Sequence, residues 1–141
     1  HRDLHSFPTR RSSDLLRALH FIRENSRVQN AVSALKSEDI EAFLANICAS
    51  GNSSYKFLQN VYTSADVDHQ NVSLALCVSE GVLSDGRGVC RVHGGGFAGT
   101  IQAFVKNEAV ADYKAAMEKL FGEGTCHILK IRKYGGMKVT D

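Results

Sequence analysis

Four glycines fall within six residues in the stretch RVHGGGFAGTIQAFV, from Arg91 to Val105, and no other segment limits the fold as tightly. Val89 to His93 before them and Thr100 to Val105 after them have strand composition, so the segment predicts two strands joined by a glycine turn. Glycine adopts positive φ freely and lets its backbone approach a ligand or another loop closely. Successive amide N–H groups in such a turn can face an anion. On residue types alone a tight turn or bulge is the commoner use of such a cluster, and a phosphate neighbour is the alternative. Two nucleotide motifs are excluded. No Gly-Lys-Ser/Thr follows, as a P-loop requires, and a strand follows where a dinucleotide fingerprint opens a helix.

The residues upstream have helical period. Leu16 to Leu35 predicts a helix with Leu16, Leu19, Ile22, Val28, Val32 and Leu35 on one stripe, weakened at Asn25-Ser26. Ser37 is the expected N-cap of the next helix, where Ile40, Phe43, Leu44 and Ile47 share a face and Gly51 marks the end. A short helix opened by Ser53 or Ser54 is expected to carry Tyr55, Leu58 and Tyr62. Another, capped by Asp66 or Asp68, aligns Val67, Leu74, Ala75, Val78 and Val82. Gly86-Arg87-Gly88 breaks it. After the two strands, Asn107 opens an amphipathic helix with Val110, Tyr113, Met117, Leu120 and Phe121 inward and Gly122 at its C-terminal end. Cys126 to Arg132 alternates as a strand, Gly135-Gly136 turns the chain, and Met137 to Thr140 is a candidate edge strand. The order predicts an α+β layer, helices packed on a mostly antiparallel sheet.

Composition excludes several classes. The 141 residues carry a formal net charge of +2 and are 43% hydrophobic, which implies no basic face for nucleic acid. The apolar runs are too short to span a bilayer, so neither nucleic acid nor membrane is an expected partner. Cys48, Cys77, Cys90 and Cys126 show no metal spacing and read as buried or partly buried free thiols of a reducing, cytoplasmic compartment. His20, His69 and His127 stand alone, and no metal site of protein ligands is expected.

The first residues, HRDL, match the start of a protein-kinase catalytic loop, but the Asn that must follow and the surrounding motifs are missing. Back-translated, His1 to Leu15 resembles a common DNA-sequencing adapter throughout. Residues 1–15 therefore read as a non-native tail and 16–141 as the folded part.

RVHGGGFAGT resembles the third, glycine-rich motif of the GHMP small-molecule kinases, and the longer stretch to Val105 resembles bacterial galactokinases within that family. So do RENSRVQNAVSAL (Arg23 to Leu35), SGNSSYKFLQNVY (Ser50 to Tyr62), Phe121 to Gly124, Cys126 to Leu129 and Gly135-Gly136. The resemblance runs from Leu16 to Val139 and implies the ferredoxin-like C-terminal domain of these enzymes, without the N-terminal catalytic domain. It implies a parent enzyme that transfers the γ-phosphoryl group of ATP, with Mg²⁺, to the C1 hydroxyl of galactose. Gly94, Gly95, Gly96, Phe97, Ala98, Gly99 and Thr100 match the motif that lies near the ATP phosphates, with Arg91 and His93 flanking it. Arg91 is read either as an outward strand charge or as a salt bridge organising the turn. His93 is read either as a turn-stabilising hydrogen bond or as a group near sugar or phosphate. Ala98 stands where many relatives have Gly. Ser50, Ser53 and Ser54 are read as helix caps or as supports of the site. No catalytic residue is assigned, because the phosphate loop and the catalytic Asp of the family have no counterpart here, so this piece alone is expected to be inactive. The alternatives are another sugar kinase of the family, for N-acetylgalactosamine or arabinose, a non-catalytic sugar sensor, or a binding module with a chance glycine turn.

Overall fold

A computed structural model describes residues 11–97 and 99–131. Four α-helices and one hairpin follow in the order α1 (Ser12–Lys36), α2 (Ile40–Ser53), α3 (Asn71–Val82), β1 (Gly88–Val92), β2 (Ile101–Val105) and α4 (Val110–Phe121). A single π-helical turn, Ser54–Leu58, extends α2, and a 3-10 turn, Asn107–Ala109, leads into α4. The hairpin is antiparallel, with Cys90 opposite Ala103 and Arg91 opposite Gln102.

Strand alternation sends the hairpin's side chains to two different layers. Cys90 and Val92 of β1 join Ala75, Leu76 and Leu83 and, from α4, Tyr113 and Met117 in one core, with Ile101, Ala103 and Val105 of β2 packed against it. The opposite face meets α2: Phe104 stacks edge-on against Phe43 at 5.5 Å, and Gly51 lies against Arg91. A Cβ at position 51 would sit 2.8 Å from the Arg91 Cβ, so glycine is what lets helix and strand touch. Ser79 is fully buried between α3 and α4, where its hydroxyl shares a 2.8 Å hydrogen bond with the Tyr113 hydroxyl.

The α+β reading holds, and several local expectations are corrected. Ser37 does not open α2. Its hydroxyl donates to the carbonyls of Ser33 and Ala34 and closes α1, while Asp39 caps α2 by accepting from the Ala42 amide at 2.9 Å. Gly51 does not end α2, because its close contact with β1 lies inside the helix. The short helix expected from Ser53 or Ser54 is the π turn Ser54–Leu58, which carries Tyr55 and Leu58 but continues α2 without a side-chain cap and stops short of Tyr62. Neither Asp66 nor Asp68 caps α3; Gln70 precedes it, and Asp66 instead accepts from the His69 amide in a turn. Most of the α1 stripe faces outward: Leu16 and Leu19 are half-buried, but Ile22, Val28, Val32 and Leu35 are exposed, because the face turned to α2 carries His20, Glu24, Arg27, Ala31 and Ala34. Leu120 also stays 48% exposed. Cys126 to Ile131 forms no strand, since alternation without a paired edge does not hold an extended segment. Arg132, Gly135-Gly136 and the Met137 to Thr140 strand lie outside the described residues, so the sheet has two strands among those described. Helix α1 begins at Ser12, within the stretch read as a non-native tail. A formed helix propagates through whatever residues precede it, so this does not bear on their origin.

Candidate functional site

The hairpin places the glycine turn at one end of the molecule. The His93 amide donates to the Thr100 carbonyl at 3.1 Å and closes the ladder. Within the turn the Gly96 amide donates to the His93 carbonyl at 3.4 Å, and the Gly99 amide to the Gly96 carbonyl at 3.1 Å. Gly94, Gly96 and Gly99 all take positive φ. Gly94, Gly95 and Gly99 face open space, where an added Cβ would meet nothing within 4 Å. Phe97 is 71% exposed and Thr100 is exposed; Ala98 lies outside the described residues.

Gly96 alone is buried, against Asn60. A Cβ there would lie 2.0 Å from the Asn60 carbonyl oxygen, so no side chain fits. The Asn60 Nδ2 donates to the Gly95 carbonyl at 3.1 Å. Sequence reading missed Asn60, which sits after a π turn and a left-handed Gln59, where no periodic signal reaches.

Arg91 is not an outward charge. Its Nη1 donates to the Ser50 hydroxyl at 2.8 Å and lies 3.9 Å from Glu24, and its Nε reaches the Val92 carbonyl. Glu24 also accepts from the Ser50 hydroxyl and pairs with Arg27 at 2.5 Å. Burial acts to raise the Glu24 carboxyl. The hydrogen bonds from Ser50 and Arg27, with the charges of Arg27 and Arg91, outweigh it and hold the group below the usual carboxylate range. These residues, with Asn46, surround a small cavity of about 80 Å³. Ser50 and Ser53 therefore support helix contacts and cap nothing; Ser53 meets the His20 ring at 3.0 Å. The polar positions Glu24 and Arg27, three apart, were the available sign that this face of α1 turns inward. The His93 side chain stays exposed beside the turn.

A wider cleft of about 250 Å³ opens beside β1 between α2 and α3, lined in part by Cys48, Cys77 and Cys90; Cys48 and Cys77 are exposed on its rim and not buried as expected. Burial, with nearby Glu80 and Cys48, pushes the Cys90 thiol up to about 11, which makes it a poor nucleophile. Among the described residues no group of three His, Cys, Asp or Glu side chains could hold a metal ion. The arrangement offers a glycine surface with backbone dipoles, braced by an ion-pair cluster.

Three comparisons bear on this geometry. The chain is 28% identical over 121 residues to a galactokinase of Streptococcus thermophilus, covering 86% of this chain and 29% of that protein. It is 31% identical over 107 residues to a galactokinase of Staphylococcus carnosus, covering 76% and 25%. It is 28% identical over 119 residues to a galactokinase of Lactobacillus helveticus, covering 84% and 28%. No family model matches, and no solved structure matches. Over most of its length the chain is similar to galactokinases, and it spans between 25% and 29% of the length of those it matches.

Proposed function

We propose that the chain is the C-terminal part of a galactokinase whose intact form transfers the γ-phosphoryl group of ATP to the C1 hydroxyl of galactose. The observation that carries this is the similarity to galactokinases over 76–86% of the chain, across a sequence that folds into a hairpin with an open glycine turn. In this reading Gly94 to Thr100 form a wall beside the ATP phosphates, and Arg91 braces the turn from below through Ser50 and Glu24. Phosphoryl transfer depends mainly on positioning and charge stabilisation, which suits a rigid wall without a reactive side chain. The catalytic groups then belong to the roughly 70% of the relatives' length that this chain does not span, and the piece alone is inactive. The described residues supply no cluster that fits Mg²⁺, and we assign it no ligand in this chain. In the parent the two-stranded sheet is part of a ferredoxin-like layer. The four free thiols suit a reducing, cytoplasmic setting.

The test is to recover the gene upstream of Leu16, express the whole protein, and follow ADP release with galactose against a panel of sugars that includes N-acetylgalactosamine and arabinose. Galactose-dependent release is expected. Release only with another sugar reassigns the substrate, binding of ATP and sugar without turnover indicates a sensor, and no response to any sugar removes the kinase reading.

A further inference from the structure

We propose that Asn60 is a positioning residue of the glycine turn, the side chain that, among the described residues, fixes the Gly95–Gly96 peptide where the turn stands beside the nucleotide. This rests on the reading of the turn as a phosphate-side wall. Asn60 is 5% exposed and is followed by Val61, which is anchored in the core at 3% exposure. Its place is therefore set by packing and not by the turn. Its Nδ2 donates to the Gly95 carbonyl at 3.1 Å, and on the other side of the same planar unit the Gly96 amide donates to the His93 carbonyl. A peptide is rigid about its C–N bond, so holding both its carbonyl and its amide fixes its orientation. The Asn60 carbonyl oxygen also fills the space that a Gly96 side chain would need. The turn is thus gripped from one side only, which leaves Gly94, Gly95 and Gly99 open on the other.

The choice of asparagine is itself informative. Its Oδ1 is buried and accepts no hydrogen bond among the described residues. A residue selected for packing alone avoids such an orphan acceptor. What asparagine adds at this depth is the N–H donor aimed at Gly95.

The experiment uses the whole protein with Asn60→Asp and Asn60→Ala. An ionised Asp has the same shape but only accepts, so it repels the Gly95 carbonyl; a protonated Asp regains one donor. Burial raises the carboxyl pKa and brings that protonation within reach. At neutral pH, Asn60→Asp is expected to raise the KM for ATP about tenfold, the worth of one buried hydrogen bond, with the KM for galactose unchanged. Relative to wild type at the same pH, the defect should shrink toward pH 5. Asn60→Ala should show the defect without the pH relief. A wild-type KM for ATP in both variants, or ATP and galactose KM values rising together, overturns the proposal. Asn60→Asp keeps the side-chain volume and covers the case in which Asn60→Ala does not fold. If the wild-type protein phosphorylates no sugar, the functional reading fails separately, and amide exchange decides. Exchange at Gly95 and Gly96 about tenfold faster in the variants upholds the positioning role, and unchanged exchange ends it.

Discussion

Glu24 links three elements through one carboxylate: Arg27 on its own helix, Ser50 on α2 and Arg91 on β1. Its side chain is 25% exposed, so solvent weakens these charges without removing them. Glu24→Gln keeps the shape and loses the charge, and should destabilise the fold by about 1–2 kcal/mol at pH 7. Because the folded-state pKa lies below the ordinary 4.5, the stability Glu24 contributes is complete above that value and is lost as pH falls through the lower, folded one. Urea midpoints of wild type and variant should therefore run parallel from pH 7 to about pH 5 and converge below it; a constant gap down to pH 3 would exclude an ion-pair origin. The thiols give a second residue-scale outcome. Cys48 and Cys77 are exposed, whereas the buried Cys90, at about 11, has only about one part in a thousand as thiolate at pH 8. Ellman's reagent should label Cys48 and Cys77 rapidly in the native protein and Cys90 only on unfolding. Rapid native labelling of Cys90 would mean that the layer between β1 and α3 is not packed.

Two helical glycines have opposite expected effects at the scale of elements. Replacing glycine by alanine inside a helix stabilises by about 1 kcal/mol when nothing else changes. At Gly81, near the end of α3, an added Cβ meets nothing within 4 Å, so Gly81→Ala should gain up to about 1 kcal/mol. At Gly51 the same atom lies 2.8 Å from the Arg91 Cβ and 3.3 Å from its Cα, neither of which can swing away. Overpacking of this kind costs about 1–3 kcal/mol, so Gly51→Ala should lose stability despite its better helix propensity. Thermal melts of the two variants check both signs, and a Gly51→Ala as stable as Gly81→Ala would refute the α2–β1 contact. The same contact explains part of what the sequence could and could not reveal. The hairpin, the α4 period and the Gly122 terminus were legible because each rests on local backbone chemistry. Gly51 looked like a helix end because its reason for being glycine sits on a strand forty residues later. The α1 stripe misled for a related reason: four of its six apolar residues are exposed among the described residues, and the helix's inward face is an ion-pair cluster whose partners Ser50 and Arg91 are remote in sequence. In the candidate site, the turn could be read from its glycines, but Asn60 became visible only when the fold brought it beneath Gly95.

At the scale of the whole molecule, the described residues leave apolar surface uncovered on α1 and beyond α4, among other places. On α1, Phe21, Val28, Val32 and Leu35 recur at helical spacing along one outward face, with exposures of 67%, 51%, 41% and 50%. Beyond α4, Ile128, Leu129 and Ile131 are exposed by 64%, 85% and 93%. Single exposed apolar residues are ordinary, but four on one helix face are not, and such patches drive association in water. The chain covers 25–29% of its relatives' length, and under the proposed parentage the rest of such a protein would cover these faces. Expressed alone, it should therefore associate with rising concentration. The double variant Phe21→Glu, Val32→Glu charges the stripe at two exposed positions, so its effect on folding should stay within about 0.5 kcal/mol per site while association falls. Sedimentation velocity across a micromolar concentration series, with circular dichroism to confirm unchanged helicity, separates the outcomes. A wild-type chain that stays monomeric throughout would mean that the α1 face is solvated as it stands, and the need for a covering domain would lose its physical basis.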